Sequence, residues 1–135
     1  MSSPSTELQV AILNALKAAT GVHAICGDRI YDGRPDDAAF PCVTFGPTQY
    51  IPEDVECIVG GIEVVQLDCW ARDGGKLWPA KDLAAAVKAA LHEASLSLST
   101  HALARISVTS VRTFLDPDGK TAHGVVIVEA EIEEV

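Results

Sequence analysis

The stretch Ile62-Glu63-Val64-Val65-Gln66-Leu67-Asp68-Cys69-Trp70-Ala71-Arg72 decides the fold. Val65, Leu67, Cys69 and Ala71 fall on one face of an extended backbone, and Gln66, Asp68, Trp70 and Arg72 on the other, because successive side chains of a strand point opposite ways. A strand this long with one apolar face needs an apolar cover. The next segment supplies one. Asp73-Gly74-Gly75 ends the strand, and a helix follows from about Leu77, with Pro79 tolerated in its first turn. Leu83, Val87, Ala90 and Leu91 form the buried stripe of that helix, opposite Lys81, Ala85, Lys88 and His92. Its many alanines suit close packing on a sheet.

Two further strands lie downstream, at residues 105–115 and 123–133, joined through the turn sequence Asp116-Pro117-Asp118-Gly119 with a projecting tip at 116–122. In the last strand Val126, Val128, Ala130 and Ile132 share one face; Val125, Ile127, Glu129, Glu131 and Glu133 share the other. Upstream, Ser3-Pro4 fits an N-cap followed by proline at the first helical position. Leu8, Ile12, Ala15, Leu16 and Ala19 then recur at helical spacing, with Gly21 as the expected stop. Arg29-Ile30-Tyr31 is a short extended piece, and 32–40 a loop broken by Gly33, Pro35 and Asp36-Asp37. Pro41 opens a short strand, Cys42-Val43-Thr44-Phe45, which Gly46-Pro47 is expected to close. Residues 48–61 then read as a long projecting loop in which Gly60-Gly61 is a turn. These elements predict one α+β domain over residues 1–135. Its sheet is mainly antiparallel, of about four strands, with two helices on one face and room for one parallel pair.

The 135 residues carry ten Lys and Arg against nineteen Asp and Glu, a formal charge of -9. That balance argues against gripping a nucleic-acid backbone, which requires cations against phosphates. With glycine included, the apolar share somewhat exceeds the usual value of about 45–50%, which suggests an oligomer interface. No apolar run reaches the roughly 18 to 20 residues needed to span a bilayer. No basic-then-apolar leader is visible either, so the expected setting is the cytoplasm, with no membrane partner.

Cys26, Cys42, Cys57 and Cys69 include no short-spaced pair of the kind zinc sites use. His23, His92, His101 and His123 are scattered. Phosphate-loop, dinucleotide and nucleophile-elbow patterns are missing. The residues therefore predict no catalytic, metal or cofactor site. One pattern goes beyond a generic domain: Glu129, Glu131 and Glu133 stand in line on one strand face, about 6.6 Å apart. They read as a solvated face, as a wall that faces a polyanion without holding it, or as a catalytic carboxylate pair.

An ordered series of segments carries a likeness to a known family. It runs from Gly27-Asp28-Arg29-Ile30-Tyr31-Asp32 through Asp37-Ala38-Ala39-Phe40-Pro41-Cys42-Val43-Thr44-Phe45-Gly46. It continues with Leu67-Asp68-Cys69-Trp70-Ala71-Arg72 and Phe114-Leu115-Asp116-Pro117-Asp118-Gly119-Lys120-Thr121. Over residues 7–132 the chain resembles the tail-terminator (tail-completion) proteins of long-tailed bacteriophages, prophages and gene transfer agents. The resemblance implies a structural protein without catalysis or cofactor: a homo-hexameric ring on the head-proximal end of the tail tube. Such a ring would stop tube growth and join the tail to the head-tail connector (stopper) while DNA passes through its centre. The setting would be the tail or neck of a virion or phage-like particle, assembled in the bacterial cytoplasm. Under this reading Asp68, Glu129, Glu131 and Glu133 line the bore, and Glu53, Asp54, Glu56, Asp116, Asp118 and Lys120 make contacts between subunits or rings. The rival readings are another ring component, either a connector or a tube subunit, and a small enzyme that gathers His23, His92 or His123 beside a carboxylate or cysteine.

Overall fold

In the computed structural model, which describes residues 3–54 and 57–135, a first helix, α1 (Pro4–Ala18), begins where Ser3 accepts a hydrogen bond from the Thr6 amide. The helix does not stop at Gly21. Ala19 takes an extended conformation, and the chain re-enters a helix, α2 (Thr20–Cys26), that contains Gly21 and ends at Gly27 with φ of 59°. The stop therefore belongs to the glycine with positive φ, a conformation that costs glycine little and other residues more.

Five strands follow in one mixed sheet: β1 (Ile30–Tyr31), β2 (Cys42–Pro52), β3 (Gly60–Arg72), β4 (Ala102–Leu115) and β5 (Thr121–Glu133), in spatial order β1-β2-β3-β5-β4. The third helix, α3 (Trp78–Leu91), crosses between β3 and β4 and has Pro79 in its first turn, as the sequence predicts. β1 pairs in parallel with β2, and every other pair is antiparallel. The long loop expected at 48–61 is corrected. Gly46-Pro47 interrupts the register between Phe45 and Thr48, but the strand continues beyond it to Pro52. A bulge lets a proline and an extra residue pass without ending the ladder. Residues 48–52 thus form an edge arm paired with 60–65 of β3, which β5 flanks on its other side, and 53–59 join the two strands.

Gly60 and Gly61 sit inside β3, not in a turn. A Cβ on Gly60 would lie 2.3 Å from the Ile132 carbonyl oxygen, and one on Gly61 would lie 2.6 Å from that of Ile51. These glycines therefore let three backbones approach closely at the loop end of the arm.

All three helices cover one face of the sheet. Leu8, Ile12 and Leu16 of α1, Val22 and Cys26 of α2, and Leu83, Val87 and Leu91 of α3 are completely buried against Leu67, Cys69, Val126 and Val128. The alanine-rich helix approaches closely where the sheet has no side chain: a Cβ on Gly124 would meet the Ala80 carbonyl oxygen at 3.4 Å and Ala84 at 3.5 Å. Burial raises the pKa of the Cys26, Cys42 and Cys69 thiols, so they act as small core hydrophobes and not as nucleophiles. Among the described residues no single helix is long and apolar enough to cross a membrane.

Candidate functional site

The sheet face turned away from the helices is a large surface that the helix-backed core does not use. Register places Ile62, Val64, Gln66, Asp68 and Trp70 of β3 on it, opposite Glu131, Glu129, Ile127, Val125 and His123 of β5. Glu129, Glu131 and Glu133 are exposed there in a single file. Arg105 of β4 stands across from Glu131 with its guanidinium 3.3 Å from the carboxylate. Both groups are solvated, so the pair is weak, and the file stays acidic.

Asp68 shares this face, but it is only 7% exposed and is held through Oδ1. Its Oδ1 lies 2.7 Å from His123 Nε2 and accepts the Gln66 amide at 2.9 Å. His123 Nδ1 lies 3.3 Å from Asp116, and Trp70 stacks on the imidazole at 3.9 Å between ring centroids. Trp70 in turn donates its indole N–H to Thr44 at 2.9 Å. A Cβ on Gly46 would come within 2.7 Å of Asp68 Oδ2, so the bulge of β2 needs glycine to pass the buried carboxylate. Asp68 therefore braces β2, β3 and the β4–β5 turn through His123, and does not present charge to solvent. The imidazole touches two carboxylates and no hydroxyl or thiol, which leaves no base-activated nucleophile in this cluster. Among the described residues no group of three His, Cys, Asp or Glu is placed to hold a metal ion.

The two projecting tips differ in character. Glu53 and Asp54 are exposed at the end of the arm, where the Glu53 amide closes the hairpin on the Gly60 carbonyl at 2.8 Å. Glu56 lies outside the described residues. At the β4–β5 turn the acids build the structure. The Asp118 carboxylate accepts the Thr121 hydroxyl and the amides of Lys120 and Thr121, which together draw its pKa down to about 2. Arg72 stands 3.7 Å away. Asp116 holds His123. Of the three turn candidates, Lys120 is the one whose side chain is exposed and outside this network.

A buried polar cluster escaped the sequence reading. Glu7 of α1 is 4% exposed and accepts the Thr100 hydroxyl, the Thr100 amide at 2.8 Å and the His101 amide at 3.2 Å. These bonds, the Thr100 hydroxyl first, hold its pKa at about 2. Only the Glu7 position in the first helical turn hinted at this, because its partners lie more than 90 residues away. The cluster ties α1 to the link that enters β4. His101 Nδ1 also accepts the Val135 amide at 3.2 Å. Since the folded pKa lies below the ordinary 4.5, this carboxylate stabilises the fold above pH 4.5 and stops doing so as pH falls toward 2. Thermal melts followed by circular dichroism should show a falling midpoint across that window. Glu7→Gln should lower the neutral-pH midpoint and flatten the acid decline. Equal acid slopes for the two proteins would contradict the assignment.

Comparison with known proteins agrees with this architecture. A family model described as "Tail completion protein gp17" matches residues 10–133. No curated protein sequence matches the chain. A chain from the structure "Virion of native gene transfer agent (GTA) particle" superposes with a TM-score of 0.89 at 22% identity, covering 98% of this chain and 99% of that one. The bacteriophage SPP1 gp17 protein superposes with a TM-score of 0.61 at 21% identity, covering 93% of this chain and 88% of that one. The family match over residues 10–133, on a helix-backed mixed sheet of the same architecture as these relatives, makes this chain a member of the gp17 family of tail completion proteins, structural components of phage-type tails.

Proposed function

We propose that this protein forms a homo-hexameric ring that caps the head-proximal end of a tail tube, stops tube polymerisation and joins the tail to the head-tail connector. Its place is the tail or neck of a virion or gene-transfer particle, and DNA passes through the ring without being held. The observation that carries this reading is the exposed file of Glu129, Glu131 and Glu133 on the sheet face that the core leaves free. Repeated around a ring, the file becomes stacked circles of like charge, which repel phosphates and let DNA slide. Asp68 shares that face but is held by His123 and stands outside the file.

A closed ring uses two different patches on each subunit. Exposed apolar side chains occur at both ends of the sheet, with Ile51 and Ile58 on the arm and Val111 and Leu115 on β4. An interface of standard size takes about 800 Å² from each partner. Glu53, Asp54, Glu56 and Lys120 are the charged residues of the projecting segments that would contact a neighbouring subunit or ring.

The test is to mix the purified protein with tail tube protein and follow both by native mass spectrometry and electron microscopy. Six-subunit rings and tubes closed at one end are expected. Long cylinders formed by this protein alone would make it a tube subunit, and persistent monomer in the presence of tube protein would overturn the ring.

A further inference from the structure

The sheet edges carry information that the ring reading leaves unused. At one edge, β1 covers Val43 and Thr44 of β2, and among the described residues no strand lies on the outer side of 48–52. At the other edge, β4 is closed over half its length. His92 Nδ1 accepts the Val108 amide at 3.0 Å, and the Glu93 amide donates to the Ile106 carbonyl at 2.9 Å. To make that contact Glu93 takes a φ of 57°, a conformation that non-glycine residues seldom adopt. The residues that follow α3 thus cap the edge at Ile106 and Val108, and among the described residues no strand covers the half at 110–115.

The alternation of a ladder then determines which backbone groups face outward. Ile106 and Val108 turn theirs away from β5, and Thr109 is the extra residue of a register shift, so the outward positions continue at Val111, Thr113 and Leu115. On the arm, the Glu53 amide bonds inward to Gly60, which leaves Thr48, Tyr50 and Pro52 facing outward. Each open stretch is therefore about three outward residues long. Since β2, β3, β5 and β4 alternate in direction, β4 runs opposite to β2. A second copy placed edge to edge therefore continues the sheet in antiparallel sense.

We propose that the open half of β4 in one subunit pairs with residues 48–52 of a second copy, with Tyr50 opposite Thr113, and that His92 and Glu93 are the stop that fixes this register. The inference rests on the ring reading and names its joint. Tyr50 and Thr113, Thr48 and Leu115, and Pro52 and Val111 exchange about five hydrogen bonds, one fewer than a full set because proline has no N–H. The charges agree with this pairing. Arg112, on the helix-free face, comes opposite Ile51 and diagonal to Glu53 of the neighbour. A symmetric β4–β4 pairing would instead bring two Arg112 side chains together.

Cysteine cross-linking tests the register. In a Cys57→Ser background the remaining thiols are completely buried. Ile51→Cys with Arg112→Cys, oxidised under conditions where native mass spectrometry shows the ring, should give a reducible ladder from dimer to hexamer. Ile51→Cys with Ser107→Cys, on the capped half, should give roughly tenfold less, since thiols on Cα atoms more than about 7 Å apart do not bridge. Rings without a ladder, or equal ladders from both pairs, would overturn the strand pairing and leave the ring intact. Dimers from Arg112→Cys alone would show the symmetric joint and also overturn it. Monomer with tube protein present would remove both the joint and the ring.

Discussion

Particles assembled with Glu129→Lys, Glu131→Lys and Glu133→Lys together are expected to deliver DNA at least about tenfold less efficiently than wild type, although the protein itself folds normally. All three side chains are exposed. Surface substitutions of this kind usually change stability by no more than about 0.5 kcal/mol each. The Arg105–Glu131 pair lost in the process is solvated and worth about 1 kcal/mol at most. The effect on passage is far larger because the charges act together. Neighbouring carboxylates stand about 6.6 Å apart along the strand, within the roughly 8 Å screening length of physiological salt. Reversal changes each subunit by about six units of charge, and in the proposed ring its repetition would turn a repelling wall into one that binds phosphates. Binding of that kind weakens steeply with salt, so raising ionic strength during delivery should restore part of the loss. The measurement is DNA delivery per assembled particle, with a melting curve of the isolated protein beside it. Unchanged delivery would remove these glutamates from the bore.

The second large effect is expected at the loop end of the arm. Gly60→Val places a side chain where even a Cβ would be 2.3 Å from the Ile132 carbonyl oxygen, and the obstacle is the backbone of β5, which cannot rotate away. Overpacking ordinarily costs about 1–3 kcal/mol, and this site belongs at the upper end. The helix-backed core lies along the strands from this point and keeps its contacts, because Leu67, Cys69, Val126 and Val128 are untouched. The arm, however, separates from β5. The monomer should therefore unfold at lower urea concentration but remain cooperative, and hexamer should be lost from native mass spectra. Hexamer retained despite the lowered midpoint would show that the arm takes no part in assembly.

Most of the scaffold was legible along the chain. Alternation over 65–72 and 128–133 and the helical stripe from Leu83 to Leu91 are local periodicities, and local periodicity survives without knowledge of neighbours. The file of Glu129, Glu131 and Glu133 could be read for the same reason, since residues two apart on a strand share a face. The arm was hidden because Gly46, Pro47 and Pro52 are ordinary strand breakers, and only β3 alongside shows that they form a bulge and a strand end.

What this sequence determined by itself was most of the long elements, the sign of the charge and the strand face on which that charge concentrates. The tertiary structure decided the rest. Asp68 carries the same charge as the exposed glutamates, yet it is spent on His123, a partner 55 positions away. Glu7 finds its partners at Thr100 and His101. The sheet edge stays open only where the end of α3 does not reach it. Pattern acts between residues a few positions apart, whereas burial, hydrogen-bond satisfaction and edge closure depend on which distant segments the folded chain brings together.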